Sequence, residues 1–362
     1  MPPACGEGAA LLRAQLPHAA ARHRLAHVHH SFVARPSHQG LRLNERTLPA
    51  PLHRPGRGCG RPNRHEDSRK GQNGRSGMDV RLRPGTPEDA EACGRICYEA
   101  FRHITAEHAF PVDFPDAETA TSAVSAMLSH PGFYSVVAEQ DGRVVASNFL
   151  DERSQVAGVG PITVDPGLQE RGVGRALMLD VMRRAEDRGF PGVRLLQAGY
   201  NTGSLSLYAK LGFEVRDVLA CMQGTPPGGE IPGHRVRPAT GEDADACNAL
   251  CRRVHGHDRA GELADAIGQG TALVAEHAGR ISGYATDLAF FAHAVGEGNE
   301  DVKALISAAR AFAGTGILVP MMNADLFRWC LGQGLRVQAT FTLMTTGLHG
   351  PPQGAYLPSI LY

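Results

Sequence analysis

Nowhere do the 362 residues contain an uninterrupted apolar run near the roughly 18 to 20 that a membrane span needs, and the N-terminus has no apolar signal core. A membrane or secreted protein is thereby disfavoured. Cysteine is scarce: there are eight, and four of them form Cys93/Cys97 and Cys247/Cys251, each pair spaced i, i+4 inside a helical pattern. That spacing reads as small apolar side chains facing a core. No CxxC motif or histidine at ligand spacing accompanies them, so no metal site is expected. The compartment reads as reducing, hence cytoplasmic. Net charge is lacking too, since 37 Lys+Arg balance 37 Asp+Glu. The balance hides an asymmetry. Residues 1–77 carry 13 basic and 4 acidic side chains, or +9, and the remainder carries −9.

What is present is a globular composition, 42% hydrophobic and 20% charged, rich in backbone breakers with Gly 43 and Pro 24. The length is a prior for about two domains. Residues 1–77 hold 8 of the 17 histidines, strings of Arg and Pro/Gly clusters, with no hydrophobic period. Too little apolar surface is available there to offset chain entropy, so a disordered basic arm is expected. Such an arm suits nucleic acid or anionic surfaces and has a faint transit-peptide character. An upstream start-site extension is the preferred reading, because ordered patterning begins abruptly at Met78-Asp-Val-Arg-Leu-Arg-Pro84.

The body repeats itself. Arg81-Leu-Arg-Pro-Gly-Thr-Pro-Glu-Asp-Ala-Glu-Ala-Cys93 matches Arg235-Val-Arg-Pro-Ala-Thr-Gly-Glu-Asp-Ala-Asp-Ala-Cys247 without a gap, and the match runs on to Cys97 and Cys251. Val137-Ala-Glu-Gln-Asp-Gly-Arg143 then matches Val274-Ala-Glu-His-Ala-Gly-Arg280, and Asn201 and Leu211-Gly-Phe213 match Asn323 and Gln333-Gly-Leu335. These pairings predict two copies of one fold, 78–224 and 234–362, joined by a Pro/Gly linker over 225–233. In the first copy, a strand at Val80–Arg83 leads to an N-capping Thr86 and a helix to about Thr105. A helix over Ala117–Leu128 precedes strands Tyr134–Glu139 and Arg143–Leu150, joined by the Asp141-Gly142 turn. Val156–Val164 continues the sheet. Helix Gly172–Arg188, strand Val193–Ala198, helix Ser204–Leu211 and strand Phe213–Cys221 complete the copy. The order gives an α/β fold, a central mixed sheet flanked by helices in each copy.

The sharpest local feature is Thr163-Val-Asp-Pro-Gly-Leu-Gln-Glu-Arg-Gly-Val-Gly-Arg-Ala-Leu177, a strand passing through a glycine turn into a helix. Gly172 and Gly174 place no side chain between backbone and ligand, and the first N–H groups of the new helix suit a pyrophosphate. A nucleoside-triphosphate loop needs Lys and Ser/Thr after its last Gly, and the dinucleotide fingerprint needs a third Gly where Leu177 stands. Neither fits.

This segment resembles the GNAT superfamily of acetyl-CoA-dependent N-acyltransferases, whose Gln/Arg-x-x-Gly-x-Gly/Ala motif is matched by Gln169-Glu-Arg-Gly-Val-Gly174. Later family elements follow in order, with Asn201 and Ser204 opening a helix and Tyr208-Ala-Lys-Leu-Gly-Phe213 resembling the Tyr-x-x-x-Gly-Phe ending. The resemblance implies two tandem GNAT-like domains and an N-acetyltransferase acting by direct transfer in a ternary complex. It places acetyl-CoA against Ile162, Thr163 and Val164 of a splayed strand. Gln169, Glu170, Arg171, Gly172, Val173, Gly174 and Arg175 would hold the cofactor at the turn, and Asn201 and Ser204 at the next helix. No metal is implied. Tyr208 takes the family's general-acid position, with a core tyrosine as the plain alternative. Asp151 or Glu152, at the end of the preceding strand, would accept the amine proton or form only a polar turn. His103, Glu107 and His108 fall near the loop that closes over acceptors in the family, where solvated side chains are the commoner finding.

The second copy departs from the motif. Aligning Ala304-Leu305 with Ala176-Leu177 puts Glu300 and Val302 at the places of Gly172 and Gly174, and Cys330 at that of Tyr208. It reads as a degenerate copy that helps shape the acceptor pocket. The acceptor itself stays open between a small-molecule amine and a peptide amine. No membrane partner is expected, nucleic acid is disfavoured, and a homodimer is left open. A non-catalytic acyl-CoA-binding regulatory module is the alternative function.

Overall fold

The computed structural model describes residues 80–361, so the arm expected over 1–77 lies outside the described residues. The first copy runs β1 (Arg81–Pro84), α1 (Ala90–Glu107), α2 (Ala117–Ser129), β2 (Phe133–Gln140), β3 (Arg143–Asp151), β4 (Ala157–Val159), β5 (Thr163–Val164), α3 (Val173–Asp187), β6 (Gly192–Ala198), α4 (Thr202–Lys210) and β7 (Glu214–Gln223). The second runs β8 (His234–Pro238), α5 (Ala244–His255), α6 (Ala260–Gln269), β9 (Leu273–His277), β10 (Arg280–Ala285), β11 (Ala294–Gly296), α7 (Asn299–Ala308), β12 (Ile317–Pro320), α8 (Ala324–Gly332), β13 (Arg336–Gly347) and β14 (Ala355–Leu357). Element for element the second copy repeats the first, without a counterpart of β5 and with β14 added. The continuous strand expected over Val156–Val164 is instead two strands separated by residues 160–162.

The repeated sequence motifs have one physical cause. In the first copy Arg83 reaches Asp89 at 2.7 Å and Glu139 at 2.8 Å, and Asp89 in turn accepts the Thr86 N–H at 2.9 Å. In the second, Arg237 reaches Asp243 at 2.7 Å and Glu276 at 2.8 Å, and Asp243 accepts the Thr240 N–H at 2.8 Å. One guanidinium thus ties the start of the first helix to the second strand in both copies, and its partners hold the two matched motifs in place. Cys93 and Cys97 are unpaired and fully buried against Val124 and Phe149, as are Cys247 and Cys251 against Leu263 and Val274. At the β2–β3 turn Asp141 and Gly142 both adopt positive φ, 51° and 72°, which matches the twist of the hairpin.

Sheets flanked by helices form in both copies, and the strand order adds an exchange of strands between them. The larger sheet runs β1-β2-β3-β4-β6-β13-β7-β12, with β5 paired to β3 alone. After α4 the first copy has a gap beside β6 that its own β7 does not fill. β13 enters it, antiparallel to β6 from Phe341↔Ala198 to Gly347↔Gly192. β7 lies in turn between β13 and β12. β7 and β13 therefore each have both of their sheet partners in the other copy. The smaller sheet, β14-β11-β10-β9-β8, belongs to the second copy.

Pleat alternation sorts the first copy's core into two faces. Val193 and Leu195 of β6 join Leu177, Met178 and Val181 of α3. Leu196 and Ala198 point the other way, into a cluster with Phe341, Phe290 and Ile360 of the second copy.

Candidate active site

β4 and β6 are parallel neighbours that pair only at Ala157↔Val193 and Gly158↔Arg194. Beyond those pairs they part. On its other side the β4 to β5 segment stays bound to β3, through Gly160 N–H to the Phe149 carbonyl at 3.0 Å and Asp165 N–H to the Val145 carbonyl at 2.9 Å. Ile162, Thr163 and Val164 therefore present one backbone edge to the opening, and Thr163 is fixed from behind by a 3.2 Å contact between its hydroxyl and that of Ser147.

The glycine turn sits at the mouth of this V. Asp165 caps its first bend, accepting the Gly167 N–H at 2.9 Å, and Gln169 closes it by donating Nε2–H to the Val164 carbonyl at 3.2 Å. Glu170 takes φ 62° and Gly172 φ 89°, and Val173 opens α3. A Cβ on Gly172 would meet nothing within 4 Å, whereas one on Gly174 would lie 3.7 Å from Val164 and 3.9 Å from Leu207. Gly172 thus serves a left-handed turn, and Gly174 serves space. The first N–H groups of α3, with Arg171 and Arg175 exposed beside them, face outward without acceptors inside the helix.

α4 forms the other wall. Asn201 caps it, its Oδ1 accepting the Ser204 N–H at 3.0 Å, while the Ser204 hydroxyl donates to the Asn201 carbonyl at 2.9 Å. Seven residues into α4, Tyr208 is buried in the cluster that also holds Val159 and Leu195, one residue from each parting strand. Burial alone raises its hydroxyl pKa, which keeps the proton on at neutral pH. Gln197 of β6, not expected from sequence, reaches the Asn201 carbonyl at 2.6 Å and the Ser204 hydroxyl at 3.1 Å through Nε2. Its buried Oε1 has no partner among the described residues.

The carboxylates expected as bases are held elsewhere. Glu152 lies beside α3, where Arg184 binds it at 2.7 and 3.0 Å. Asp151 faces the second copy and accepts from Arg153 at 2.6 and 2.9 Å, and Arg153 continues to Asp265 of α6 at 2.9 Å. Alternation along the strand sends the two to opposite faces, and an arginine holds each. Both carboxylates therefore stand in ion pairs. His103, Glu107 and His108 are exposed. The carboxylate that the sequence did not single out is Asp113, in the α1–α2 loop. It is half-buried beside Phe110 and Tyr200, and burial pushes it up to about 6. No periodicity marks that loop, so only the folded arrangement finds it.

Residues 98–213 match the acetyltransferase (GNAT) family, a span that contains the turn, the V and Tyr208. That span, about a third of the chain, is similar to the GNAT family. Among curated proteins it is 36% identical over 92 residues to a mycothiol acetyltransferase of Thermomonospora curvata, covering 25% of this chain and 31% of that one. It is 30% identical over 166 residues to the mycothiol acetyltransferase of Cellulomonas flavigena, covering 42% and 44%. The matched region thus spans under half the length of these curated relatives. A putative acetyltransferase from Pyrococcus horikoshii shares the fold, with TM-score 0.59 at 16% identity over 82% of this chain and 97% of that one. Among the described residues no group of His, Cys, Asp and Glu is placed to hold a metal ion, and no helix is long and apolar enough to cross a membrane.

The glycine turn is not repeated in the second copy. Leu305 and Ile306 take the buried places of Leu177 and Met178, so α7 starts about half a turn earlier and replaces the loop with helix. Glu300 is exposed, Val302 is in the core, and Asp301 caps the helix by accepting the Gly298 N–H at 2.9 Å. Asn299 and Asn323, the counterpart of Asn201, bond amide to amide at 2.7 and 3.1 Å across the space between α7 and α8. β14 pairs with β11, the counterpart of β4. Cys330 stands seven residues into α8, at the place of Tyr208, and burial pushes its thiol up to about 12.

Proposed function

We propose that the first copy transfers the acetyl group of acetyl-CoA to an amine acceptor, either a small molecule or a peptide. One observation carries this reading. A left-handed glycine turn delivers an open helix N-terminus to the mouth of two parting parallel strands, with a buried, proton-bearing tyrosine packed where they part. The residues fit the cofactor. The backbone of Val173, Gly174 and Arg175 would hold the pyrophosphate, with Arg171 and Arg175 adding charge. The open edge from Ile162 to Val164 would receive the pantetheine as a strand edge receives a peptide, and the orphaned Gln197 Oε1 would accept one of its amide N–H groups.

Acetyl-CoA, when bound, supplies an acyl group activated as a thioester. The chain's part is to hold that carbonyl against backbone donors and, through Tyr208, to return a proton to the departing sulfur. Direct transfer within a ternary complex is supported by the thiols, because burial pushes Cys93 and Cys221 up to about 11 and leaves them poor nucleophiles. The closed turn of the second copy supports one cofactor site per chain, with residues 234–362 completing the sheet and walling the acceptor side. Six described cysteines, all unpaired, support a reducing, cytoplasmic setting.

The test is amine-dependent release of free thiol from acetyl-CoA by the purified chain across a panel of primary amines, with a gain of one acetyl group confirmed by mass. Acetyl-CoA binding with no amine-dependent release would make the protein a non-catalytic acyl-CoA module.

A further inference from the structure

A small cavity opens on the face of β6 to which Leu196 and Ala198 point, at the strand's C-terminal end. Its lining includes Phe110 and Asp113 of the α1–α2 loop, Tyr200 just past β6, Cys221 of β7, and Phe341 of β13. Phe341 pairs with Ala198 in the sheet, so the cavity adjoins the open strands. Phe110 stacks on Tyr200 with ring centroids 4.3 Å apart, so the lining combines aromatic rings, the neutral polar Thr315 and Gln338, and one carboxyl.

Asp113 makes no hydrogen bond or ion pair among the described residues, and the lining contains no cationic side chain. The titratable groups that face it are the Cys97 thiol from α1, the Tyr200 hydroxyl and the Cys221 thiol from β7. All three are neutral at pH 7, since burial raises each of them. A half-buried carboxylate among aromatic rings and neutral groups lacks the counter-charge that such a group ordinarily finds. A ligand cation would supply it, with added attraction from the ring faces.

We propose that Asp113 and the aromatic rings around it form a recognition site for a compact primary ammonium, and that this site selects the acceptor. The assignment rests on the acetyl-transfer reading for its role but not for its chemistry. Burial pushes Asp113 up to about 6, so the site gains its charge as pH rises through that value.

The experiment is calorimetric titration of the full chain with butylammonium, with neutral 1-butanol as the same-shape comparison. At pH 8 the ammonium should bind about tenfold or more tightly than the alcohol. At pH 5, where the carboxyl is mostly protonated and butylammonium is still charged, that preference should shrink about tenfold. Asp113→Asn should abolish the preference and Asp113→Glu retain it, while acetyl-CoA affinity stays within about twofold in both. The proposal is overturned by a wild-type chain with no preference at pH 8, or by an Asn variant that keeps it. If neither wild type nor variant binds acetyl-CoA, the acetyl-transfer reading fails while the ammonium site is judged on its own data.

Discussion

Gly174→Glu should strengthen the fold and weaken the cofactor site at once. The position is helical, since only Gly172 of the two glycines has positive φ, so a side chain at 174 meets no backbone strain. Its Cβ would find only ordinary contacts at 3.7 and 3.9 Å. Replacing Gly by Glu in the first turn of α3 gains about 0.5 kcal/mol of helix propensity and about 0.3 to 1 kcal/mol from a carboxylate at the positive helix end. For a domain of this size that raises Tm by roughly 2 to 4 °C. The same carboxylate would stand where the proposed site takes the pyrophosphate. Two like charges about 4 Å apart at an effective dielectric of 20 repel by about 4 kcal/mol, and the half-exposed position halves this to about 2. Affinity for acetyl-CoA should then fall about 30-fold. Calorimetry and thermal melts on Gly174→Glu and the uncharged Gly174→Gln separate charge from bulk. A Glu variant with raised Tm and unchanged affinity would refute the cradle. A lowered Tm would refute the helix start.

Tyr208→Phe keeps the ring in its cluster and removes the proton donor, so single-turnover acetyl transfer should drop by about 10² to 10⁴ while acetyl-CoA affinity changes little; a wild-type rate would leave Tyr208 as a core residue. His293 is fully buried beside Glu262 and Tyr284, and burial pushes its pKa down to about 4, below the 6.5 of an exposed imidazole. The unfolded chain binds the extra proton between those values, so stability should fall as pH drops from 6.5 to 4, by at most about 3 kcal/mol from this residue. Denaturant midpoints across that range, flattened in His293→Gln, would show it, and identical profiles would remove His293 as the cause. Cutting the chain within 225–233 should leave neither piece folded alone, because β7 and β13 lose both neighbours, while mixing restores circular dichroism and co-purification. A first piece that folds alone would contradict the exchanged strands.

The two-copy plan was legible because Arg83, Asp89 and Glu139 and their counterparts Arg237, Asp243 and Glu276 recur in sequence as a unit. The glycine turn was legible because φ of 89° at Gly172 needs that residue type. Strand exchange was not, since β7 and β13 carry the same alternation whichever copy supplies their neighbours. The sequence showed carboxylates near the splay but not their partners. Arg153 and Arg184 claim Asp151 and Glu152 through contacts that only the fold creates, and Asp113 emerges because Tyr200 comes back across the loop. In the second copy, the sequence places Glu300 and Val302 where the glycines stand. The structure turns Asp301 inward as a helix cap and pairs Glu297 with Arg280 and Arg253, leaving the Asn299–Asn323 bond across the slot.

The glycine turn is open in the first copy and replaced by helix in the second, so one cofactor site per chain is expected. Calorimetric titration of the intact chain with acetyl-CoA is the decisive measurement. One molecule should bind per chain, with binding weakened by Gly174→Glu and untouched by Glu300→Gln. Two equivalent sites, no binding, or a single site that responds at Glu300 and not at Gly174 would contradict it.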